Sequence, residues 1–332
     1  MTDKMLKFVD IGQQTPSKRE VDNRKEDFNE IYKEFINEKA SEQSSRCSQC
    51  GVPFCQIHCP LSNNIPDWLK LTAEGRLKEA YELSQSTNNM PEVCGRICPQ
   101  DRLCEGNCVI EQSGHGTVTI GSIEKYITDN AWEQGWVNPI KVKNERSQSV
   151  GIIGAGPAGL AAATTAAQRG HKVTLFDADT EIGGQFNIAK QIPGKEEFYE
   201  TIRYFGVMLA LHGVDVKLNI RVDAAELNKM GFDEIILATG IVPRTLNIEG
   251  IDHPKVLSYI DVLKHKKPVG KSVAVIGAGG IGFDTSEFLS HCNQSTSTDI
   301  PAFMKVWGID ITMTVRVCVE GMQRHPEPSP RE

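Results

Sequence analysis

The sequence predicts an α/β fold that follows a separate, helical, cysteine-rich region. From Val150 onward, β-rich runs, glycine turns and helical runs alternate in the order strand, turn, helix, strand. The same order restarts at Lys271. Upstream of both, eight of the ten cysteines lie between Cys47 and Cys108. We therefore expect a helical domain at 1–140, an α/β domain at 141–268 and the start of a second one at 269–332.

Composition excludes several classes of function. The 332-residue chain has 36 Lys and Arg against 43 Asp and Glu, a net charge of −7, with no basic or aromatic strip. We therefore expect no nucleic-acid partner. No run of about 18 apolar residues occurs, and the N-terminus is too polar for a secretory signal. The sequence predicts a globular cytoplasmic protein with no membrane partner.

The N-terminal region reads as helical. Apolar residues recur at helical spacing over 17–45 and predict one amphipathic helix, namely Phe28, Ile31, Tyr32, Phe35 and Ile36. A second helix is predicted after "NNIP", where Pro66 suits a first turn, and a third around "RLKEAYELS". The polar segment 136–149 has no periodicity and is interpreted as a linker.

The cysteines form two runs with short gaps. The first is Cys47-x2-Cys50-x4-Cys55-x3-Cys59-Pro, and the second is Cys94-x3-Cys98-Pro-x5-Cys104-x3-Cys108. A compact run of four cysteines ending in Cys-Pro is typical of 4Fe-4S proteins, although the x4 gap departs from the bacterial ferredoxin spacing. Structural zinc and disulfides are the alternatives, and a reducing cytoplasm argues against disulfides. The pattern favours two 4Fe-4S clusters that draw ligands from both runs.

The first glycine turn has the spacing of a dinucleotide-binding fingerprint. "GAGPAG" follows the apolar strand "VGII" and precedes an alanine-rich helix, which is the context a Rossmann-like βαβ unit requires. Asp177 ends the next strand, where a carboxylate can accept a hydrogen bond from a ribose hydroxyl. The residues predicted to bind the nucleotide here are Gly154, Gly156, Pro157, Ala158, Gly159 and Asp177.

Two further segments are predicted to lie near the same nucleotide. They are "GGQ", comprising Gly183, Gly184 and Gln185, and "ATG", comprising Ala238, Thr239 and Gly240 at the end of a strand expected to be buried. The second fingerprint, "GAGGIG", supplies Gly277, Gly279, Gly280, Ile281 and Gly282. Two dinucleotide sites predict FAD reduced by NAD(P)H, so 141–268 is interpreted as an FAD-binding domain and 269–332 as the start of an NAD(P)-binding domain.

Residues 1 to about 140 resemble the N-terminal region of the glutamate synthase small subunit. The resemblance rests on the cysteine array and on "VTIGSIEKYITD" at 118–129. It implies that Cys47, Cys50, Cys55 and Cys108 hold one 4Fe-4S cluster and that Cys59, Cys98, Cys104 and Glu124 hold the other. Spacing alone nominates Cys94 rather than Glu124 as the last ligand. The family also implies NADPH as the electron donor and a large partner subunit.

The remainder resembles the C-terminal flavin region of bacterial 2,4-dienoyl-CoA reductase. The segments that carry this resemblance begin at "TLFDADTEIGGQF", "ATGIVPRTLNIEG" and "VIGAGGIGFDTSEF". In that architecture the chain returns from the NAD(P) domain with a last strand carrying Gly-Asp, which the residues after Gly282 do not contain. We therefore expect both nucleotide sites to be incomplete and the tail, "GMQRHPEPSPRE", to be disordered.

The predicted function is electron relay from NAD(P)H through FAD and the clusters to a larger catalytic subunit or an acceptor protein. No CxxxxC dithiol follows the first fingerprint, which removes a disulfide-reductase mechanism, and no catalytic acid or base is required. A non-catalytic, cluster-carrying docking subunit and a fragment of a dienoyl-CoA reductase-like enzyme are the alternatives. His58, Cys292 and Cys318 are not expected to act as ligands.

Overall fold

The structure is a computed structural model that describes residues 4–24, 26, 31–33, 35, 37–140, 142, 144–244, 246–290 and 299–306. The described residues divide into two compact units, the first from 1–15 and 35–258 and the second from 16–34 and 259–332. The boundaries after residues 140 and 268 stay predictions. The tail expected to be disordered lies outside the described residues. No described helix is long and apolar enough to span a membrane.

The cysteine-rich part of the first unit consists of short helices joined by loops. Its helices are α2 (Asn37–Ser44), α3 (Phe54–Ile57), α4 (Ile65–Ala73), α5 (Leu77–Ser84), α6 (Pro91–Cys94), α7 (Val109–Gln112) and α8 (Ile120–Glu133). Helix α1 (Val21–Arg24), which comes earlier in the sequence, belongs to the second unit. Pro66 lies in the first turn of α4, as predicted. Fully buried Trp68 donates its indole N–H to Asn63 Oδ1 at 3.2 Å and lies in the core of this helical part.

A parallel sheet forms the rest of the first unit. Its elements are β1 (Ser149–Ile153), α9 (Pro157–Gln168), β2 (Lys172–Phe176), α10 (Phe186–Ala189), α11 (Phe198–Leu211), β3 (Asp215–Lys217), α12 (Ala224–Met230) and β4 (Glu234–Leu237). The strand order is β3-β2-β1-β4, and all neighbours are parallel. Helices α9 and α11 pack on β1 and β2 around buried Ile152, Leu175 and Phe205. The predicted α/β fold is confirmed.

The prediction of one helix over 17–45 is wrong. In the described residues, Lys18 and Tyr32 pair as an isolated antiparallel bridge, and helix occurs only in α1 and α2. Phe28 and Ile36 lie outside the described residues. The helical spacing of apolar residues is a local pattern. It contains no information on a pairing between Lys18 and Tyr32, which lie fourteen positions apart in the sequence.

The strand before "ATG" exists as β4, but the expectation that it is buried is wrong, because all four residues are exposed and Leu237 is 73% exposed. β4 lies at the sheet edge, where only β1 pairs with it.

The strand predicted before "GAGGIG" in the second unit is not formed. The described elements of this unit after residue 258 are the helices α13 (Tyr259–Leu263), α14 (Gly280–Ser290) and α15 (Ile300–Val306). No described strand pairs with 272–276, and a strand is stable only within a sheet.

Candidate iron–sulfur and nucleotide sites

Four cysteines from both runs line one pocket, which we call the first thiol pocket. Cys47 and Cys50 lie in the loop after α2, Cys55 on α3, and Cys108 directly before α7. The rest of its wall is Ser48 and six apolar residues, namely Phe54, Pro66, Leu69, Val109, Val118 and Ile120. Sequence positions up to sixty-one residues apart therefore meet at one site.

The chemistry of this pocket fits a cluster held by thiolates. Burial, together with neighbouring Cys47 and Cys108, raises the pKa of Cys55 to about 12, and burial also raises the pKa of Cys47. Such thiols stay protonated at neutral pH unless a metal supplies positive charge. The side-chain amide of Gln49 donates to Cys47 Sγ at 3.4 Å, and Ser48 Oγ lies 3.0 Å from Cys50 Sγ. Hydrogen bonds to sulfur of this kind support and tune iron–sulfur centres.

Four further cysteines and one glutamate form a second set of titratable side chains, which we call the second thiol group. Its members are Cys59, Cys94, Cys98, Cys104 and Glu124. Burial is the first cause of the raised pKa of Cys94, Cys98 and Cys104, and the charge of Glu124 raises all three further. Cys59 raises the pKa of Cys94 and Cys98 in the same way. The five groups are thus close enough to interact electrostatically, and they include both Glu124 and Cys94.

Glu124 is buried on α8, and burial raises the pKa of its carboxyl to about 7. Asn88 Nδ2 donates to Glu124 Oε1 at 3.3 Å, and the Asn88 side chain also hydrogen-bonds the Cys94 thiol. Gly95 lets the backbone beside Cys94 approach α8, because a Cβ on Gly95 would lie 2.6 Å from the Lys125 nitrogen. Sequence reasoning missed both Asn88, which lies in no motif, and Gln49, which lies inside the first cysteine run at a position the spacing leaves open.

In the described part of the chain, no three His, Cys, Asp or Glu side chains are arranged to hold a single metal ion. His58 is exposed, and its Nδ1 lies 2.9 Å from the Phe54 carbonyl oxygen. Cys292 and Cys318 lie outside the described residues.

A buried carboxylate connects the cysteine-rich helices to the sheet. Glu92 on α6 accepts hydrogen bonds from the Trp132 indole at 2.7 Å, from Arg96 Nε at 3.0 Å and from Arg203 Nη2 at 3.3 Å. The Arg203 guanidinium also lies over the Trp132 ring, 4.3 Å from its centroid. Because Arg203 is on α11 and Glu92 precedes Cys94 by two residues, this network joins the second thiol group to the helix that covers the sheet.

The first fingerprint forms the predicted turn between β1 and α9. Gly154 has φ +106°, and a Cβ there would lie 2.3 Å from the Ala238 carbonyl oxygen. A Cβ on Gly159 would lie 1.7 Å from the Gly154 carbonyl oxygen. Gly156, in contrast, has no atom within 4 Å of its Cβ position. Pro157 and Ala158 begin α9. The loop is therefore closed on its protein side and open where a pyrophosphate would approach.

The other predicted residues of this site surround the same loop. Asp177, directly after β2, accepts hydrogen bonds from the amides of Ala155 and Asp179. The Gly183 amide donates to the Ala155 carbonyl oxygen at 2.8 Å, and a Cβ on Gly184 would lie 2.9 Å from Gly156 Cα. Gln185 directly precedes α10. Ala238 and Thr239 lie against Gly154, whereas Gly240 is exposed. The structure thus brings all three predicted segments together.

The second fingerprint repeats only part of this geometry. Gly277 has φ +121°, and a Cβ on Gly282 would lie 1.9 Å from the Gly277 carbonyl oxygen, as in the first loop. Gly279 and Gly280 face open space, and Ile281 is exposed on α14. Ile276, which precedes the turn, is 79% exposed. The turn and its helix are present without the strand that would support them.

Comparisons with known proteins agree with this geometry. Residues 24–136 match the family model "dihydropyrimidine dehydrogenase domain II, 4Fe-4S cluster", and residues 148–317 match "pyridine nucleotide-disulphide oxidoreductase". The first match confirms the prediction of 4Fe-4S chemistry in the cysteine-rich region.

The chain is 48% identical to the glutamate synthase [NADPH] small chain of Azospirillum brasilense, over 85% of this chain and 62% of that protein. It is 42% identical to the small chain of Escherichia coli, over 72% of this chain and 51% of the relative. The resemblance to glutamate synthase small subunits is confirmed, and at 303 aligned residues it extends well beyond the cysteines. The chain spans about half to three fifths of these relatives' lengths.

Among solved structures, 2-naphthoyl-CoA reductase bound to 2-naphthoyl-CoA is 27% identical, with a TM-score of 0.44, over 69% of this chain and 35% of that one. With residues 148–317 matched by the family model, the chain belongs to the pyridine nucleotide-disulphide oxidoreductase family, and it carries a 4Fe-4S domain ahead of that region.

Proposed function

We propose that this chain is an iron–sulfur flavoprotein module that takes electrons from NAD(P)H, with NADPH favoured, and delivers them to a larger catalytic subunit or an acceptor protein. The observation that carries the proposal is the convergence of Cys47, Cys50, Cys55 and Cys108 on one pocket. The glycine loop with open space at Gly156 supports the flavin part. The small-chain relatives support NADPH and a partner subunit.

The proposed ligands are Cys47, Cys50, Cys55 and Cys108 for one 4Fe-4S cluster, and Cys59, Cys98, Cys104 and Glu124 for the other. FAD would be held by the first fingerprint, Asp177, "GGQ" and "ATG", and the nicotinamide nucleotide by the second fingerprint. When bound, FAD converts the two-electron chemistry of NAD(P)H into the one-electron steps that 4Fe-4S clusters carry.

The protein's own residues position and shield these groups. The α9 N-terminus and the Gly156 backbone offer amides and space to a pyrophosphate. Buried Leu69, Val118 and Ile120 give the first thiol pocket an apolar wall on one side, and a less polar environment there strengthens the effect of the Gln49 hydrogen bonds on sulfur. No side chain has to move a proton at either site.

A non-catalytic, cluster-carrying docking subunit is the second candidate. It is favoured by the second fingerprint, whose preceding segment, 272–276, is exposed and forms no strand. A nicotinamide site without that strand would bind its nucleotide weakly, because the sheet holds the glycine turn in place.

Anaerobic cofactor analysis of the purified chain tests both candidates. We expect about eight irons, about eight acid-labile sulfides and one FAD per chain. Added NADPH should then bleach the flavin absorbance. Clusters without bleaching would support the docking subunit, and zinc without sulfide would refute both.

The fourth ligand of the second cluster is tested by two matched variants. Glu124→Ala is expected to lose about four irons, because three thiolates hold a cubane poorly. Cys94→Ala is expected to keep about eight irons, since the proposed set does not include it. Iron and sulfide analysis measures both. The reverse result, with iron lost only in Cys94→Ala, would replace Glu124 by Cys94 in the ligand set.

A further inference from the structure

Arg46 is a fully buried arginine that lies beside the first thiol pocket. Its side chain is 0% exposed, which is rare for a residue that is always charged. It directly precedes Cys47, a pocket residue. Its Nη1 donates to the carbonyl oxygen of Thr117, and Thr117 directly precedes Val118 in the pocket wall. The guanidinium thus hydrogen-bonds the residue directly before Val118, and Arg46 itself is the residue directly before Cys47.

The partners of this guanidinium are neutral. Arg46 Nε donates to the Ile11 carbonyl oxygen at 2.9 Å, and Nη2 donates to those of His115 and Gly116 at 2.8 and 2.9 Å. Among the described residues, no carboxylate forms an ion pair with it. Carbonyl dipoles satisfy its hydrogen bonds but leave its net charge in place.

An isolated buried charge is costly, so a counter-charge is expected nearby. The groups that favour the charged form of Arg46 are Cys108 in the pocket and Glu111 on α7. Glu111 is exposed, where water screens its charge. The residues that line the pocket include no Asp, Glu, Lys or Arg side chain. A cluster held by the four thiolates of this pocket would therefore be the buried anionic group best placed to offset Arg46.

We propose that Arg46 raises the reduction potential of the 4Fe-4S cluster held by Cys47, Cys50, Cys55 and Cys108. The inference rests on the proposed function. A cluster bound by four thiolates is anionic and gains one further negative charge when one electron reduces it. A fixed positive charge in a water-excluded site stabilises the reduced state more than the oxidised state.

Two substitutions separate charge from packing. Arg46→Gln removes the charge and keeps hydrogen-bond donors, whereas Arg46→Lys keeps the charge and alters the carbonyl contacts. Both are made in the full chain and compared with wild type by redox titration with dithionite, followed by EPR. The second cluster serves as the internal reference. At a fixed potential, Arg46→Gln is expected to lower the reduced-to-oxidised ratio of the first cluster about tenfold, which corresponds to 59 mV for one electron.

Arg46→Lys is expected to keep the wild-type potential. An unchanged potential in Arg46→Gln, or the same shift in both variants, would overturn the proposal. If Arg46→Gln does not retain its iron, the result for Arg46→Lys tests the proposal. About eight irons with the wild-type potential in Arg46→Lys would support a role of the charge. Loss of about four irons in both variants would show that Arg46 acts through packing. Iron and sulfide in the wild-type chain are measured first. Their absence would refute the proposed function and this inference with it, whereas their presence with equal potentials would refute only the inference.

Discussion

Replacing Cys55 by serine is expected to lower the iron content from about eight to about four per chain. Cys55 is presented by α3 into the first thiol pocket, whose other thiols are Cys47, Cys50 and Cys108. Serine has nearly the same size, so the packing around Leu69 and Ile120 is kept. Its hydroxyl is a harder and more weakly acidic ligand than a thiol, so the cluster loses one of its four attachments.

Iron and acid-labile sulfide analysis, with the visible absorbance of the clusters, measures this loss. The visible absorbance should fall by about half if only one of two clusters disappears. Cys318→Ser is the matched control, because it makes the same chemical change outside both cysteine runs, and it is expected to keep about eight irons. Full iron content in Cys55→Ser would remove Cys55 from the ligand set and with it the proposed role of the pocket.

Gly156→Ala is expected to weaken FAD binding by about 100-fold, or about 2.7 kcal/mol, without destabilising the protein. Its φ of −76° and ψ of −177° suit alanine, and its Cβ would meet no atom within 4 Å. The stability of the flavin-free chain should therefore stay within about 0.5 kcal/mol of wild type. The added methyl group would occupy the space through which a pyrophosphate reaches the loop backbone.

Flavin titration by fluorescence measures the affinity, and thermal unfolding of the flavin-free chain measures the stability. Gly12→Ala is the control, because its Cβ also has no atom within 4 Å and it lies far along the sequence from the fingerprint. Gly159→Ala differs from both, since its Cβ would lie 1.7 Å from the Gly154 carbonyl oxygen, and it should destabilise the fold itself. Wild-type flavin affinity in Gly156→Ala would contradict the proposed FAD site.

The sequence by itself determined the elements whose signals are local. The strand, turn and helix at "VGIIGAGPAG" follow from a glycine spacing that only one backbone geometry satisfies, and they are present as β1, the loop and α9. Pro66 likewise marked the start of α4. The cysteine spacing was enough to predict 4Fe-4S chemistry, because short gaps let several thiols reach one centre.

Only the tertiary structure decided matters that depend on contacts distant in sequence. The segment 272–276 has a strand-like sequence but forms no strand, because strands are stable only when neighbours pair with them. Arg46 and Asn88 carry no motif, and their positions beside the two thiol sites follow from chain packing. The convergence of Cys108 with Cys47 required the helices between them to fold back. Local pattern fixes backbone geometry over a few residues, whereas the surroundings of a buried group are set by all the chain that packs around it.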